Sequence, residues 1–254
     1  MKATSTLLAI AIASLLSAQD PAPPTPPPGQ GGKHTARAID QRHKQLRQTL
    51  EQDFAKLKGL PEQEAEAAGD KLFDAFRKAA GALGDEIVVV FQHEPTGEAG
   101  AMAFTVAMQL PLEDAQRATV LGIAAEHLAQ SEAIVDHLPN LQYDGSNAAT
   151  ALVQKVVDTH PQVRAKGIGR FVLAMRAKGP QKELQLEAVG KEFADVKYED
   201  ATLGVVAGRI LHALRNIQIG KVPPDIVGKD MDGTPFQLSD YRGKVVVLDF
   251  WGFW

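Results

Sequence analysis

The chain contains no cysteine. Residues 1–254 therefore carry no disulfide, no thiolate metal site, no thiol nucleophile and no lipidated N-terminal cysteine. They also lack a His-Glu-x-x-His motif and any pair of histidines spaced i, i+4, so the scattered histidines 34, 43, 93, 127, 137, 160 and 212 imply no metal site. Glu126-His127 and Asp136-His137 come nearest to a ligand cluster and fall short of one. Gly-x-Ser-x-Gly is missing, so Tyr143-Asp144-Gly145-Ser146-Asn147 reads as a loop and helix cap, not a nucleophile elbow. There is no excess of positive charge: the net charge of −4 gives no reason to expect a nucleic-acid partner. Long apolar runs are absent as well. Leu7 to Leu16 spans ten residues, too short to cross a bilayer comfortably, and no other segment comes closer.

What is present divides into four parts. Lys2, the apolar run to Leu16 and the small residues Ser17-Ala18 read as a secretory signal over residues 1–18, although Leu16 is an unusual residue three places before the cut. The expected product is exported to a periplasmic or other extracytoplasmic space, with no stable membrane span after cleavage. Residues 19–35 form a Pro/Gly-rich linker, with Pro21, Pro23, Pro24, Pro26, Pro27 and Pro28 followed by Gly29, Gly31 and Gly32. Residues 36–217 carry helical periodicity, and residues 218–254 change texture.

Hydrophobic residues make up 44% of the chain, enough for a substantial core. Within 36–217, Ile39, Leu46, Leu50, Phe54 and Leu57 share one helical face, and the charged positions of Arg37–Gln52 fall on its solvated side. A second helix is expected over Glu62–Leu83, ended by Gly81 and Gly84. Residues 85–109 fit two strands or two short buried helices, and the helical surroundings favour helices. Pro111 is expected to open the next helix, with Glu113 and Asp114 in its first turn. A shorter segment runs to Leu138 and is ended by Pro139. Asn147, or Ser146 before it, caps a helix carrying Leu152, Val153 and Val156. Further helices are expected after His160-Pro161, over Gln181–Ala194 and over Ala201–Ile217. Lys166-Gly167-Ile168-Gly169-Arg170 is no phosphate loop; its glycines lie in a helical pattern and permit close helix packing. The expected class is mainly α, a helical-hairpin array loosely similar to tetratricopeptide repeats.

After Pro223-Pro224, the residues Asp225-Ile226-Val227 read as a strand, Asp232-Gly233 as a hairpin turn and Phe236-Gln237-Leu238 as the returning strand. Lys244 to Trp251 reads as a strand buried on both faces, since its apolar residues do not alternate with polar ones. Such a strand needs neighbours on both edges.

The last stretch resembles the start of a thioredoxin-like domain of the redoxin type, the group of TlpA-like and ResA-like thiol–disulfide oxidoreductases and the alkyl hydroperoxide reductase/thiol-specific antioxidant proteins. The resemblance rests on Gly220-Lys221-Val222-Pro223-Pro224-Asp225, Asp232-Gly233, Leu238-Ser239-Asp240-Tyr241-Arg242-Gly243-Lys244 and Val245 to Trp251. It implies the first strands of an incomplete α/β thioredoxin-like fold. In the family, the pattern filled here by Asp249-Phe250-Trp251-Gly252-Phe253-Trp254 is followed at once by Cys-Gly-Pro-Cys. The resemblance makes Asp249 a candidate proton relay and Trp251, Gly252, Phe253 and Trp254 the flanks of the active site. An acid buried ionised and unpaired is costly, so a buried Asp249 is expected to be protonated or partnered.

On this reading the chain is truncated just before its nucleophile and inactive as it stands. A selenocysteine codon read as a stop explains such an end; a truncating mutation or a gene fragment is the plain alternative. The implied partners are protein thiols, disulfides or a redox partner protein, with no cofactor and no metal, and peroxide reduction is the variant activity. The competing reading is a non-enzymatic helical interaction module with a vestigial redoxin tail.

Overall fold

The computed structural model describes residues 31–249 and 251. The expected signal segment 1–18 and most of the linker lie outside these residues. Helices dominate, and the strands are few and short.

Helix α1 (Gly31–Ala55) starts earlier than the periodicity suggests and takes in Gly31 and Gly32. Its expected face is the one that packs: Ile39 and Leu46 are buried, and Leu50, Phe54 and Leu57 are partly buried against the same core. Helix α2 (Glu62–His93) is one continuous helix of 32 residues. The expected break at Gly81 and Gly84 does not occur. These two interior glycines cost about 1 kcal/mol each relative to alanine, and burial of Leu83 between them and of Ile87, Val90 and Phe91 beyond them offsets that cost. Gly84 serves packing: a Cβ there would lie 2.7 Å from Leu112 Cδ2 and 2.9 Å from Gln116 Oε1. The ambiguous stretch thus resolves as the end of α2 and a helix α3 (Gly97–Gln109). The α1–α2 pair is tied across by Arg42 and Glu86, with Nη1 donating to Oε1 at 2.9 Å, and Arg37 reaches Glu98 of α3 at 2.9 Å.

Helix α4 (Asp114–His127) opens after Glu113, not at Pro111, because Gln116 Oε1 accepts the Glu113 N–H at 3.1 Å and closes the helix start there. The following segment, Glu132–Tyr143, is a 3-10 helix with Pro139 inside it, where an ending at Pro139 was expected. Val135, Leu138 and Leu141 are all buried and recur every three residues, the period of a 3-10 helix and not of an α-helix.

Ser146 is the cap of α5 (Asn147–Thr159), its Oγ accepting from Ala149 N at 3.1 Å. Helix α6 (Val163–Arg176) packs closely on its neighbours at the two glycines. A Cβ on Gly169 would meet Val157 at 2.8 Å, and one on Gly167 would meet Phe193 at 3.0 Å. Helix α7 (Pro180–Glu192) begins with proline at its first position after Gly179, whose φ of +56° suits glycine. A small antiparallel pair, β1 (Lys197–Tyr198) and β2 (Ala201–Thr202), precedes α8 (Leu203–Asn216) and has no counterpart in the sequence reading. Tyr198 earns its place there by burial against Phe171, the ring centroids 5.0 Å apart.

Consecutive helices pack on one another, and α1 also packs on α3. Every buried hydrophobic residue among those described lies between Ala36 and Ala207. The tail forms a second antiparallel pair, β3 (Val227–Lys229) with β4 (Pro235–Gln237), and a short 3-10 turn (Leu238–Tyr241), none of it buried.

Candidate functional site

The tail is built from local hydrogen bonds. Val227 pairs with Gln237, Gly228 with Phe236 and Lys229 with Pro235, close to the hairpin expected around Asp232-Gly233. Asp230 closes the turn: its Oδ1 accepts from Asp232 N at 3.0 Å and Thr234 N at 2.8 Å. Gly233 sits at φ +82°, a conformation that glycine adopts without steric cost. Asp225 fastens the lead-in to the far side of the hairpin, accepting from Ser239 N at 2.8 Å and Ser239 Oγ at 2.7 Å. Those Ser239 hydrogen bonds hold the Asp225 carboxyl below the usual carboxylate range.

Residues 244–249 depart from expectation. They are not paired as a strand, and they are not buried. Val245 is 98% exposed and Val247 89%, while Val246 and Leu248 are 42% and 49% exposed. A strand covered on both faces needs neighbouring strands and a layer on each side, and the described residues supply neither. Asp249, expected to be buried, is exposed among the described residues. Trp251 is also exposed. Gly252, Phe253 and Trp254, the other expected flanks of the site, lie outside the described residues.

The helical region also holds buried polar groups. His43, on the apolar face of α1, is 2% exposed, and its Nε2 has no hydrogen-bond partner among the described residues; the same holds for Asp53 Oδ2. Burial, reinforced by the Arg47 charge, pushes the His43 pKa below its ordinary value. Burial does the same to His137, whose ring meets Phe104 edge-on at 5.4 Å. His160 is buried and fixed as a joint. Its Nδ1 accepts from Gln162 N at 3.1 Å, which leaves Nε2 to face the Ser131 carbonyl at 3.4 Å.

Arg176 gathers the loop before α5. It donates to the Leu141 carbonyl at 2.9 Å, the Ser146 carbonyl at 2.8 Å and Thr150 Oγ1 at 2.6 Å, and also to the Asp144 carbonyl. Asp144 is paired with Arg117. Its burial pushes the carboxyl up, but hydrogen bonds from Ser146 and Arg117 prevail and hold it below its ordinary value. A signal for these groups existed in the sequence: His43 falls four residues after Ile39 and three before Leu46, on the buried stripe. These contacts are structural. Among the described residues no group of three or more His, Asp or Glu converges to hold a metal ion. No helix among them is long and apolar enough to cross a membrane.

Comparison with known proteins gives short, partial matches. Over 38 residues the chain is 47% identical to the thiol-disulfide oxidoreductase ResA of Geobacillus thermodenitrificans (strain NG80-2), covering 15% of this chain and 22% of that protein. It is 50% identical over 38 residues to ResA of Geobacillus kaustophilus (strain HTA426), with the same coverage. ResA of Bacillus anthracis matches at 47% over 38 residues, again 15% and 22% of the two chains. The chain therefore spans about a fifth of the length of the relatives it matches. No family model matches, and no solved structure matches. The similarity supports a redoxin-type relationship over this short stretch.

Proposed function

We propose that residues 218–254 open a thioredoxin-like domain of an exported thiol–disulfide, or selenol–disulfide, oxidoreductase. In this reading residues 1–18 are the export signal, 19–35 the linker and 36–217 a helical-hairpin array that positions the redox domain or receives its partner. The observation that carries it is the 47% identity over 38 residues with a thiol-disulfide oxidoreductase. Most of each relative's length lies outside that match; on this reading the nucleophile belongs to the Cys-Gly-Pro-Cys that follows, in the family, the pattern filled here by Asp249 to Trp254.

The chemistry follows from the position. A thiolate or selenolate at a helix N-terminus is stabilised by the partial positive charge there. It attacks one sulfur of a partner disulfide, forming a mixed disulfide and releasing the partner's other sulfur as a thiolate. A second cysteine then attacks the mixed disulfide and frees the reduced partner, leaving the oxidised pair behind. Asp249 relays a proton from beneath the pair once further strands cover it, and Trp251 and Trp254 shield the site. Residues 1–254 alone have no cysteine for this exchange.

The test is to read the coding sequence past codon 254 and express the longer product. A cysteine codon or in-frame UGA, then codons for Gly-Pro-Cys, is expected, and the longer product reduces insulin disulfides while residues 1–254 do not. Peroxide consumption in its place would identify the peroxidase variant. Unrelated downstream sequence, or a longer product inert in both assays, overturns the reading and leaves the helical region as an interaction module.

A further inference from the structure

We infer that α1 is a detachable strap, hinged at its C-terminal end, that lifts from α2 and α3 in mild acid while the rest of the helical region stays folded. Among the described residues, the side-chain atoms buried without a hydrogen-bond partner are His43 Nε2 and Asp53 Oδ2, and both belong to α1. The two residues are each 2% exposed. They lie about 15 Å apart along the helix axis, too far to satisfy each other. A polar group buried in this way gives up hydration with no hydrogen bond in exchange, so the packing of α1 is weakened at both places. The apolar hold is modest as well. Ala36, Ile39 and Leu46 are buried, while Leu50, Phe54 and Leu57 keep part of their surface in water. Phe54 meets Phe73 of α2 edge-on with centroids 5.1 Å apart, but Phe73 is itself half-exposed. Residues 56–61 join α1 to α2 through a turn in which Gly59 sits at φ +94° with nothing within 4 Å of its Cβ position, so packing does not pin the hinge there.

His43 makes this hold depend on pH. A neutral imidazole fits the buried face between Ile39 and Leu46, whereas an imidazolium there would carry a charge with no anion bonded to Nε2. The charged groups nearby are already engaged. On α1 itself Arg47 and Lys44 oppose protonation and Asp40 favours it, but Asp40 is paired with Lys44 at 2.6 Å. Helix α2 brings Glu86, which accepts from Arg42 at 2.9 Å, and Asp85, which accepts from Gln116 of α4 at 2.6 Å. Helix α3 carries a single ionisable residue, Glu98, paired with Arg37 at 2.9 Å. Burial accordingly lowers the His43 pKa from 6.5. Once α1 lifts, the ring is hydrated and takes up its proton at the ordinary pKa. The docked form is therefore favoured fully above pH 6.5 and loses ground as pH falls below it. The strap involves only the helical region and does not rest on the redox reading.

The experiment is amide hydrogen exchange on the full chain, read by mass spectrometry at about pH 7.5 and about pH 5.5 and corrected for the intrinsic exchange rate at each. Protection of α1 should fall several-fold on acidification relative to that of α5 and α6. The limit is about tenfold, set by a pKa of 6.5 in the lifted helix. His43→Leu should abolish the fall. His137 meets Phe104 and Thr105 of α3 from the 3-10 segment, and His137→Gln should keep the fall. Asp53→Leu removes the other orphaned group and should raise α1 protection at both pH values while leaving the acid response in place. Far-UV circular dichroism serves as the folding control. An equal change in α1 and in α5 and α6, a fall that survives His43→Leu or vanishes in His137→Gln, or α1 protection unchanged or reduced in Asp53→Leu would each overturn the proposal.

Discussion

The helical region and the tail solve the burial problem in opposite ways. From Ala36 to Ala207 the chain folds apolar stripes against each other, so that side chains as large as Phe91 and Phe104 are fully buried. From residue 217 onward no described residue is buried, although Val245 to Leu248 is the densest apolar run in that part. The contrast shows where each kind of element finds its partner. A helix satisfies its backbone internally and needs only one covered stripe, which sequence neighbours provide. A strand of the buried type needs other strands for its backbone as well as layers for its faces.

The largest effect that separates the regions is a core truncation. Phe104→Ala removes a ring packed 6.3 Å from Phe91 and 5.4 Å from His137. Its expected cost is about 3–5 kcal/mol in urea unfolding. Val247→Ala should change the same measurement by less than about 0.5 kcal/mol. Comparable losses at both sites would erase the distinction.

Within the helical region, glycines sharpen it next. A Cβ on Gly100 would come within 2.4 Å of the Pro95 backbone, which has no flexible end to yield. Gly100→Ala should therefore destabilise by about 1–3 kcal/mol despite alanine's better helix propensity. Gly81 has nothing within 4 Å of its Cβ position and sits inside α2. Gly81→Ala should stabilise by about 0.5–1 kcal/mol, read as a raised urea midpoint, if the helix is continuous there. A loss at Gly81 would restore the break that the sequence suggested.

A smaller effect depends on pH. His43 and His137 are buried, and burial lowers both pKa values from 6.5. The unfolded chain therefore takes up these protons at higher pH than the folded chain does. Stability from the neutral imidazoles is complete above pH 6.5 and is lost as pH falls through their lower folded-state values. His43→Leu should flatten the decline below pH 6.5 measured by thermal unfolding, since it removes one such group from the core. An unchanged slope would mean that His43 is already solvated in the folded chain.

What the sequence disclosed was mostly local. The α1 face, the Ser146 cap, the close-packing glycines 167 and 169 and the Asp232-Gly233 hairpin all depend on residues near each other in the chain. What it hid depended on contacts made from afar. Gly81 and Gly84 suggest a helix end, and only the packing of α2 against α4 shows why the helix continues. Pro139 suggests a stop, yet the three-residue recurrence of Val135, Leu138 and Leu141 was there to signal a 3-10 segment. The candidate site was legible as a motif and not as a geometry. The resemblance named Asp249 and Trp251, but the cover that would bury Asp249 and make it a proton relay is not supplied by the described residues.

Amide hydrogen exchange on the chain tests the division between the two regions most directly. Strong protection is expected in α2 through α6, weak protection in the β3–β4 hairpin, and exchange near the unprotected rate across residues 244–249. Protection of residues 244–249 comparable to that of α2 would contradict the account, because it would place that segment inside a folded core.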